Sequence, residues 1–295
     1  VKISHRNPAP IDYIIHAPDS PISDFTPFTN LGAILSMWAG VENIVHNPTI
    51  TVPLARMVDP GIVEGMTEWV TGQVLRHHLG FDHHILNTQG EWLTSARPPL
   101  ARKRTVGILG AGVLGRATAR ILLALNFNVI GWSRRHSRSN NPTRSRDSAQ
   151  LDNPADDLVV HTGTQGLSQI LQEVDILVLL LPHTPKTDML LNAGTFGRMK
   201  RGMIIINAGR GALIDDDALL DALHNGIVSH ATLDVFRQEP LPPDHPFWQH
   251  SRISIWPHIA AETRAETAAG VIVANIARHL AGAPLHHQVN RQQGY

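Results

Sequence analysis

Apolar and polar positions along this chain alternate between two periods. Short runs of aliphatic and β-branched residues give way to longer stretches in which apolar residues recur at helical spacing. Strands are predicted at Ile11–Ile15, Ala33–Ser36 and Ile50–Leu54, from Thr105 into the glycines at Gly110, and at Phe127–Trp132. Further strands are predicted at Leu158–Val160, Ile176–Leu181, Met203–Ile206, Ala231–Phe236 and Ile253–Trp256. Ile176–Leu181 is apolar throughout, the pattern of a strand buried on both faces. Between them, Ile62, Met66, Trp69, Val70, Val74, Leu75 and Leu79 mark a helix running to about Leu86. A helix is also predicted after Val41, at Arg116–Leu125, at Leu167–Glu173 and beyond the acidic opening Asp215-Asp216-Asp217, which a helix dipole favours. A last helix is predicted at about Ala261–Leu280.

Repeated strand–helix alternation implies an α/β chain of two doubly wound parallel-sheet (Rossmann-like) domains. Gln89–Arg104, with its Pro98-Pro99 pair, reads as a linker, so a first domain is expected at 1–97 and a second at 98–261. The last helix is expected to cross back, so that 262–295 completes the first domain. His136–Asp157 is a long polar loop to which no chemistry is assigned.

The second domain opens on Gly110-Ala111-Gly112-Val113-Leu114-Gly115, set between an apolar run and a helical stretch. In that context the spacing is a dinucleotide-binding turn. Gly110 permits the tight turn, Gly112 lets the backbone approach a pyrophosphate, and Gly115 lets helix pack on strand. Amides around Val113 and Leu114 then face the phosphates with the helix dipole behind them. An NAD-specific site usually carries Asp or Glu roughly 20 residues onward, to bond the ribose 2′-hydroxyl. Here the next strand ends in Ser133-Arg134-Arg135 with no acid. A hydroxyl and guanidinium groups suit a 2′-phosphate, so NADP is the expected cofactor, with NADPH favoured over NADH. The plainer alternative is a pair of solvated loop arginines.

Composition narrows the rest. With 295 residues the chain can carry two cores, and its 42% apolar content is ordinary for a globular protein. The formal net charge is zero, which suggests no nucleic-acid partner. No apolar run reaches the roughly 20 residues of a membrane span, so no membrane partner is expected and a cytoplasmic location is the default. There are no cysteines, which excludes disulfides and thiolate catalysis. The 18 histidines include adjacent pairs at 77–78, 83–84 and 286–287. Adjacent side chains diverge, so surface histidine is the expectation for most of them and no metal site is expected.

Candidate chemistry gathers beyond strand ends, where open α/β sheets bind ligands. In the first domain Trp38, Gly40 and Arg56 hold such positions; in the second, Arg210, Glu239 and His258 do. Taken singly, the last three read as a surface charge, a loop acid and a helix cap. Beside a dinucleotide turn they form a set for carbonyl reduction. A cation holds a carboxylate and polarises the carbonyl, an imidazolium protonates the new alkoxide, and a carboxylate orients that imidazole and raises its pKa.

Five ordered motifs carry a resemblance. They are Gly110–Gly115; Leu181-Pro182-His183-Thr184-Pro185; Asn207-Ala208-Gly209-Arg210-Gly211; Leu233-Asp234-Val235-Phe236 with Glu239-Pro240; and Pro257-His258-Ile259-Ala260-Ala261. Together the chain closely resembles the D-isomer-specific 2-hydroxyacid dehydrogenases, from about residue 11 onward. The resemblance implies that Arg210 binds the substrate carboxylate and carbonyl, His258 donates the proton and Glu239 pairs with His258. It implies cofactor contacts from Pro182, Thr184, Ala208 and Gly209, with Asp234 on the nicotinamide carboxamide side. Backbone groups of Trp38, Ala39 and Gly40 would hold the carboxylate, and Arg56 would line the pocket. The implied activity is NADPH-dependent reduction of small 2-oxo acids, glyoxylate and hydroxypyruvate foremost, by a homodimer. Two alternatives stand: a dinucleotide-sensing partner protein of the same fold, and a dehydrogenase for another D-2-hydroxy acid.

The chain departs from the family pattern in three places. Where members commonly read Gly-Ala-Gly-Val-Asp, Trp38 replaces the first Gly and Glu42 the Asp. A Trp38 turned inward would shrink the pocket toward glyoxylate-sized substrates; turned outward it changes nothing. The polar loop at 136–157 is longer than expected, and the strand and helix that usually precede the 11–15 segment are missing from this sequence.

Overall fold

The computed structural model of the protein describes residues 8–17, 20–87, 90, 92, 97–134, 158–292 and 294. In chain order it places strands β1 (Tyr13–His16), β2 (Ala33–Ser36) and β3 (Leu54–Ala55), then helices α1 (Pro60–Leu79) and α2 (Phe81–Ile85). There follow β4 (Thr105–Leu109), α3 (Val113–Ala124), β5 (Asn128–Ser133), β6 (Val159–Thr162), α4 (Gly163–Glu173), β7 (Ile176–Leu179) and α5 (Ala193–Phe196). The chain closes with β8 (Met203–Asn207), α6 (Asp216–His224), β9 (Val228–Leu233), β10 (Ile253–Ile255) and α7 (Ala265–Leu280). Two compact units form, one from Val1–Glu64 with Ala261–Tyr295 and one from Gly65–Ala260.

In the first unit β1, β2 and β3 form a parallel three-stranded sheet. One face packs Ala33, Leu35 and Ala55 against Leu285 and against Ile272 and Ile276 of α7. The other face buries Ile14, Ile34 and Leu54 with Phe25, Phe28, Val41, Ile44, Val45 and Ile50. The guanidinium of Arg291 donates to the carbonyls of Val45, Asn47 and Ile50, which ties the chain's last segment to that layer.

Two sequence expectations are corrected here. The strand expected at Ile50–Leu54 starts at Leu54, because Pro53 has no N–H to give the ladder and contributes only a carbonyl, which accepts from Ile34. The helix expected after Val41 is a single turn, closed by the Val45 N–H on the Val41 carbonyl at 2.8 Å.

The second unit is a seven-stranded, wholly parallel sheet in the order β6-β5-β4-β7-β8-β9-β10. The chain winds outward from β4 in one direction and from β7 in the other, so β4 and β7 flank the topological switch point. Fully buried Leu109, Leu177, Leu179 and Ile205 pack with Ile170, Leu171, Leu219 and Leu223 of the covering helices. Because every strand points the same way, every loop that follows a strand emerges on one edge.

The division between units differs from the expected one. The first break falls within α1 rather than near residue 97, and the rest of α1 with α2 goes with the seven-stranded sheet. Contacts of α1 explain the grouping. Trp69 meets Trp256 edge-on at 5.8 Å, His78 meets Phe127 at 4.9 Å, and His77 shares a 2.8 Å hydrogen bond with Thr232.

Candidate active site

The glycine turn is built as its spacing demands. Gly110 has φ of 120°, which favours glycine, and a Cβ on Gly115 would lie 2.1 Å from the Gly110 carbonyl oxygen. Gly112, by contrast, has open space where a Cβ would point. It forms the N-cap of α3 without a side-chain cap, and Val113 behind it is half exposed. An uncapped twelve-residue helix whose N-terminus abuts open space fits a pyrophosphate. Leu114 continues the same first turn.

Ser133 ends β5, and Arg134 follows it half-buried. The Arg134 guanidinium donates to the Thr184 hydroxyl at 3.2 Å, tying the β5 end to the loop after β7. Thr184 is itself fixed, since its N–H donates to the Thr187 hydroxyl, which donates in turn to the Pro182 carbonyl. Arg135 and the loop at 136–157 lie outside the described residues. Ala208 donates to Leu179 across the strand ends, and Gly209 packs so tightly that a Cβ there would sit 2.8 Å from the Leu181 carbonyl oxygen.

Farther along the same edge, the loops after β8, β9 and β10 carry Arg210, Glu239 and His258. Gly211 shows how closely two of these loops pack, because a Cβ there would lie 1.9 Å from the Phe236 carbonyl carbon. His258 Nδ1 and Glu239 Oε2 are 2.7 Å apart, and Oε1 of the same carboxylate accepts the Phe236 N–H at 2.8 Å. That hydrogen bond to Glu239 raises the His258 pKa above its ordinary value, against burial and the Arg210 charge. Burial pushes Glu239 upward, but the bonds from His258 and Phe236 outweigh it and hold the carboxyl below its ordinary value. His258 stands at φ of 56° with its side chain 36% exposed, so the imidazole is both partnered and reachable.

Asp234, the expected contact on the nicotinamide carboxamide side, follows β9 directly. It is 1% exposed, and its carboxylate accepts the amides of Ile259 at 2.9 Å and Ala260 at 3.1 Å. Both oxygens therefore hold the turn immediately after His258. Burial raises its pKa, opposed by those two amides.

In the three-stranded unit, Trp38, Ala39 and Gly40 follow β2 and Arg56 follows β3, all at the carboxyl end of that sheet. The Trp38 N–H donates to the Ser36 hydroxyl, its carbonyl accepts from Met57 at 2.9 Å, and its side chain is 47% exposed. The Arg56 N–H donates to the His287 carbonyl.

Surface exposure fails as a reading of His77, His78 and His230. His77, His230 and Asp82 bring ligand-type atoms within 4.8 Å of one another. Arg76 already takes that carboxylate, with Nε and Nη2 each 2.8 Å from an Asp82 oxygen, while His77 and His230 bond to the hydroxyls of Thr232 and Ser254. The cluster is thus a closed hydrogen-bonded seam between α1 and β9–β10. The sequence reading missed it because Arg76 and His77 lie off the apolar stripe of α1 and are covered only when the sheet is in place.

Comparison with known proteins agrees with this geometry. Residues 71–260 match the family model of the D-isomer specific 2-hydroxyacid dehydrogenase NAD binding domain. Glyoxylate/hydroxypyruvate reductase A of Yersinia enterocolitica is 37% identical over 272 residues, spanning 90% of this chain and 82% of that protein. A D-isomer specific 2-hydroxyacid dehydrogenase from Xanthobacter autotrophicus, solved with NADPH and MES, superposes with a TM-score of 0.85 at 33% identity, covering 98% of this chain and 87% of its own. The NADPH-dependent glyoxylate/hydroxypyruvate reductase of Sinorhizobium meliloti, solved with NADP and sulfate, gives a TM-score of 0.84 at 34% identity, covering 99% of this chain and 89% of its own. Motifs, strand order, strand-end chemistry and these likenesses converge, and the chain belongs to the D-isomer-specific 2-hydroxyacid dehydrogenase family.

Proposed function

We infer that this protein reduces small 2-oxo acids with NADPH, converting glyoxylate to glycolate and hydroxypyruvate to D-glycerate. The observation that carries the reading is the His258–Glu239 pair, 2.7 Å apart on the edge where the dinucleotide turn opens. The likeness to reductases named for these substrates supports it.

In this reading the first turn of α3 and its glycines hold the pyrophosphate, and Ser133 and Arg134 hold the 2′-phosphate. Arg135 is assigned the same role from sequence. Pro182, Thr184, Ala208 and Gly209 line the cofactor side. Bound NADPH supplies the hydride that reaches C2 of the 2-oxo acid. Arg210 holds the substrate carboxylate and draws electron density toward the carbonyl oxygen. Nδ1 of His258 is committed to Glu239, so Nε2 delivers the proton that the carbonyl oxygen gains as C2 is reduced. Glu239 keeps the imidazolium stable until that transfer, after which His258 regains a proton from water.

We further propose a cytoplasmic homodimer. Exposed Phe81, Ile85 and Leu86 on and beside α2, with Trp92 nearby in sequence and 92% exposed, supply apolar surface for a second copy. Sedimentation at micromolar protein tests the dimer.

Oxidation of NADPH and NADH, followed side by side with glyoxylate and hydroxypyruvate, tests the activity. Turnover with an NADPH preference is expected. Arg134→Ala should erode that preference about tenfold, the worth of a charge-assisted bond of about 1.5 kcal/mol. Tight NADPH binding without turnover of either acid would overturn the reading.

A further inference from the structure

Asn207 ends β8 in the middle of the seven-stranded sheet and is 1% exposed. Its side chain uses both ends of the amide. Oδ1 accepts the Gly209 N–H at 3.1 Å, and Nδ2 donates to the Arg210 carbonyl at 2.9 Å. Its own carbonyl accepts the Asp234 N–H at 2.9 Å. Asp234 in turn holds the amides of Ile259 and Ala260, next to His258. One buried residue therefore touches the turn that presents Arg210 directly, and reaches the turn that presents His258 through a single neighbour.

No other common side chain matches both bonds at this length. Alanine supplies neither. A carboxylate keeps the acceptor for Gly209 but sets a negative charge against the Arg210 carbonyl oxygen. A protonated carboxyl, however, accepts with one oxygen and donates with the other, as the amide does.

We propose that Asn207 is a positioning residue that fixes the backbone of Arg210 for substrate binding, an inference that rests on the role given to Arg210 above. Glyoxylate turnover by Arg210→Ala tests that role; the variants below are judged against the wild type and test only the positioning.

Asn207→Ala is expected to raise the KM for glyoxylate and to lower kcat/KM about 100-fold, the cost of an ångström-scale misplacement. NADPH affinity, followed by fluorescence without substrate, should fall far less than kcat/KM, because the first turn of α3 and Arg134 are untouched and only Gly209 on the cofactor side loses its bond to Asn207. Asn207→Asp carries the sharper signature. Burial favours the protonated form, so its kcat/KM relative to wild type at the same pH should climb as pH falls from 8 to about 5.5. Taking the ratio removes the protonation of His258, which both proteins share.

The proposal falls if Asn207→Ala stays within about twofold of wild type in kcat/KM. It also falls if NADPH affinity collapses together with turnover, which would make Asn207 a general scaffold. Where Asn207→Ala does not fold, the pH ratio of Asn207→Asp decides: a flat ratio overturns the proposal and a rising one supports it. Failure of both variants to fold likewise assigns the residue to the scaffold and rejects the inference.

Discussion

The unit Gly65–Ala260 holds the same three kinds of side chain in two places, and treats them in opposite ways. At the carboxyl edge of the sheet, His258 is 2.7 Å from Glu239 while Arg210 acts on both from the neighbouring loop. In the seam under α1, Asp82 is taken by Arg76, and His77 and His230 are left with hydroxyl partners and with each other, ring to ring at 4.8 Å. The outcome follows from burial and from which cation takes the carboxylate. At the edge the imidazole has it, and its pKa is raised. In the seam burial dominates, with His230 and Arg76 adding repulsion, and the His77 pKa drops from 6.5 to about 3. His230 drops to about 4, again from burial first and Arg76 second. A histidine beside an acid and an arginine is therefore not a proton donor by composition alone.

The contrast breaks most visibly by deletion. His258→Ala should cost about a thousandfold in turnover, the usual worth of a positioned acid, and Arg210→Ala should cost a comparable amount. His77→Gln should leave kcat at pH 7 within about twofold. Near-normal turnover in His258→Ala, or a large loss in His77→Gln, would reverse the assignment of the two clusters.

Acid unfolding is the next largest effect. Unfolded histidine protonates near 6.5, whereas folded His77 and His230 do so only near 3 and 4. Between these values the unfolded chain binds more protons, so stability is full above about pH 6.5 and falls as pH drops through that window. The loss should reach about a few kcal/mol near pH 4. Urea midpoints from pH 7 to 4.5 should show it, and His77→Gln should flatten the curve. An equally steep fall in that variant would place the acid sensitivity elsewhere.

Arg76→Gln gives a smaller and more pointed test. Removing the guanidinium takes away repulsion from both imidazoles and releases Asp82 to them. Their titrations, followed by NMR, should move up toward 6.5. Unmoved titrations would mean that burial alone sets them.

Much of this was legible in the sequence. The glycine spacing between an apolar run and a helical stretch placed the dinucleotide turn, and parallel strands forced Arg210, Glu239 and His258 onto one edge once the alternation was recognised. Other features depend on partners distant in sequence. Asn207 stands in the sequence only as the first residue of the Asn207–Gly211 motif, and its amide's place between Gly209 and Arg210 shows only in the fold. Asp234 reads as a cofactor contact, and its hold on the amides of Ile259 and Ala260 shows only in the fold. His77 reads as half of a surface pair until β9 supplies Thr232, 155 residues away.

On the proposed mechanism, Glu239 makes His258 the proton donor by raising its pKa. The pH dependence of kcat/KM for NADPH-dependent glyoxylate reduction, in wild type and Glu239→Gln, tests it most directly. With His258 as the proposed proton donor, activity is expected to be full below its pKa and to decline as pH rises through it. Without the carboxylate the His258 pKa loses its largest upward contribution, so the decline should begin at lower pH in Glu239→Gln, with a lower plateau. A decline at the same pH in both proteins would contradict the account.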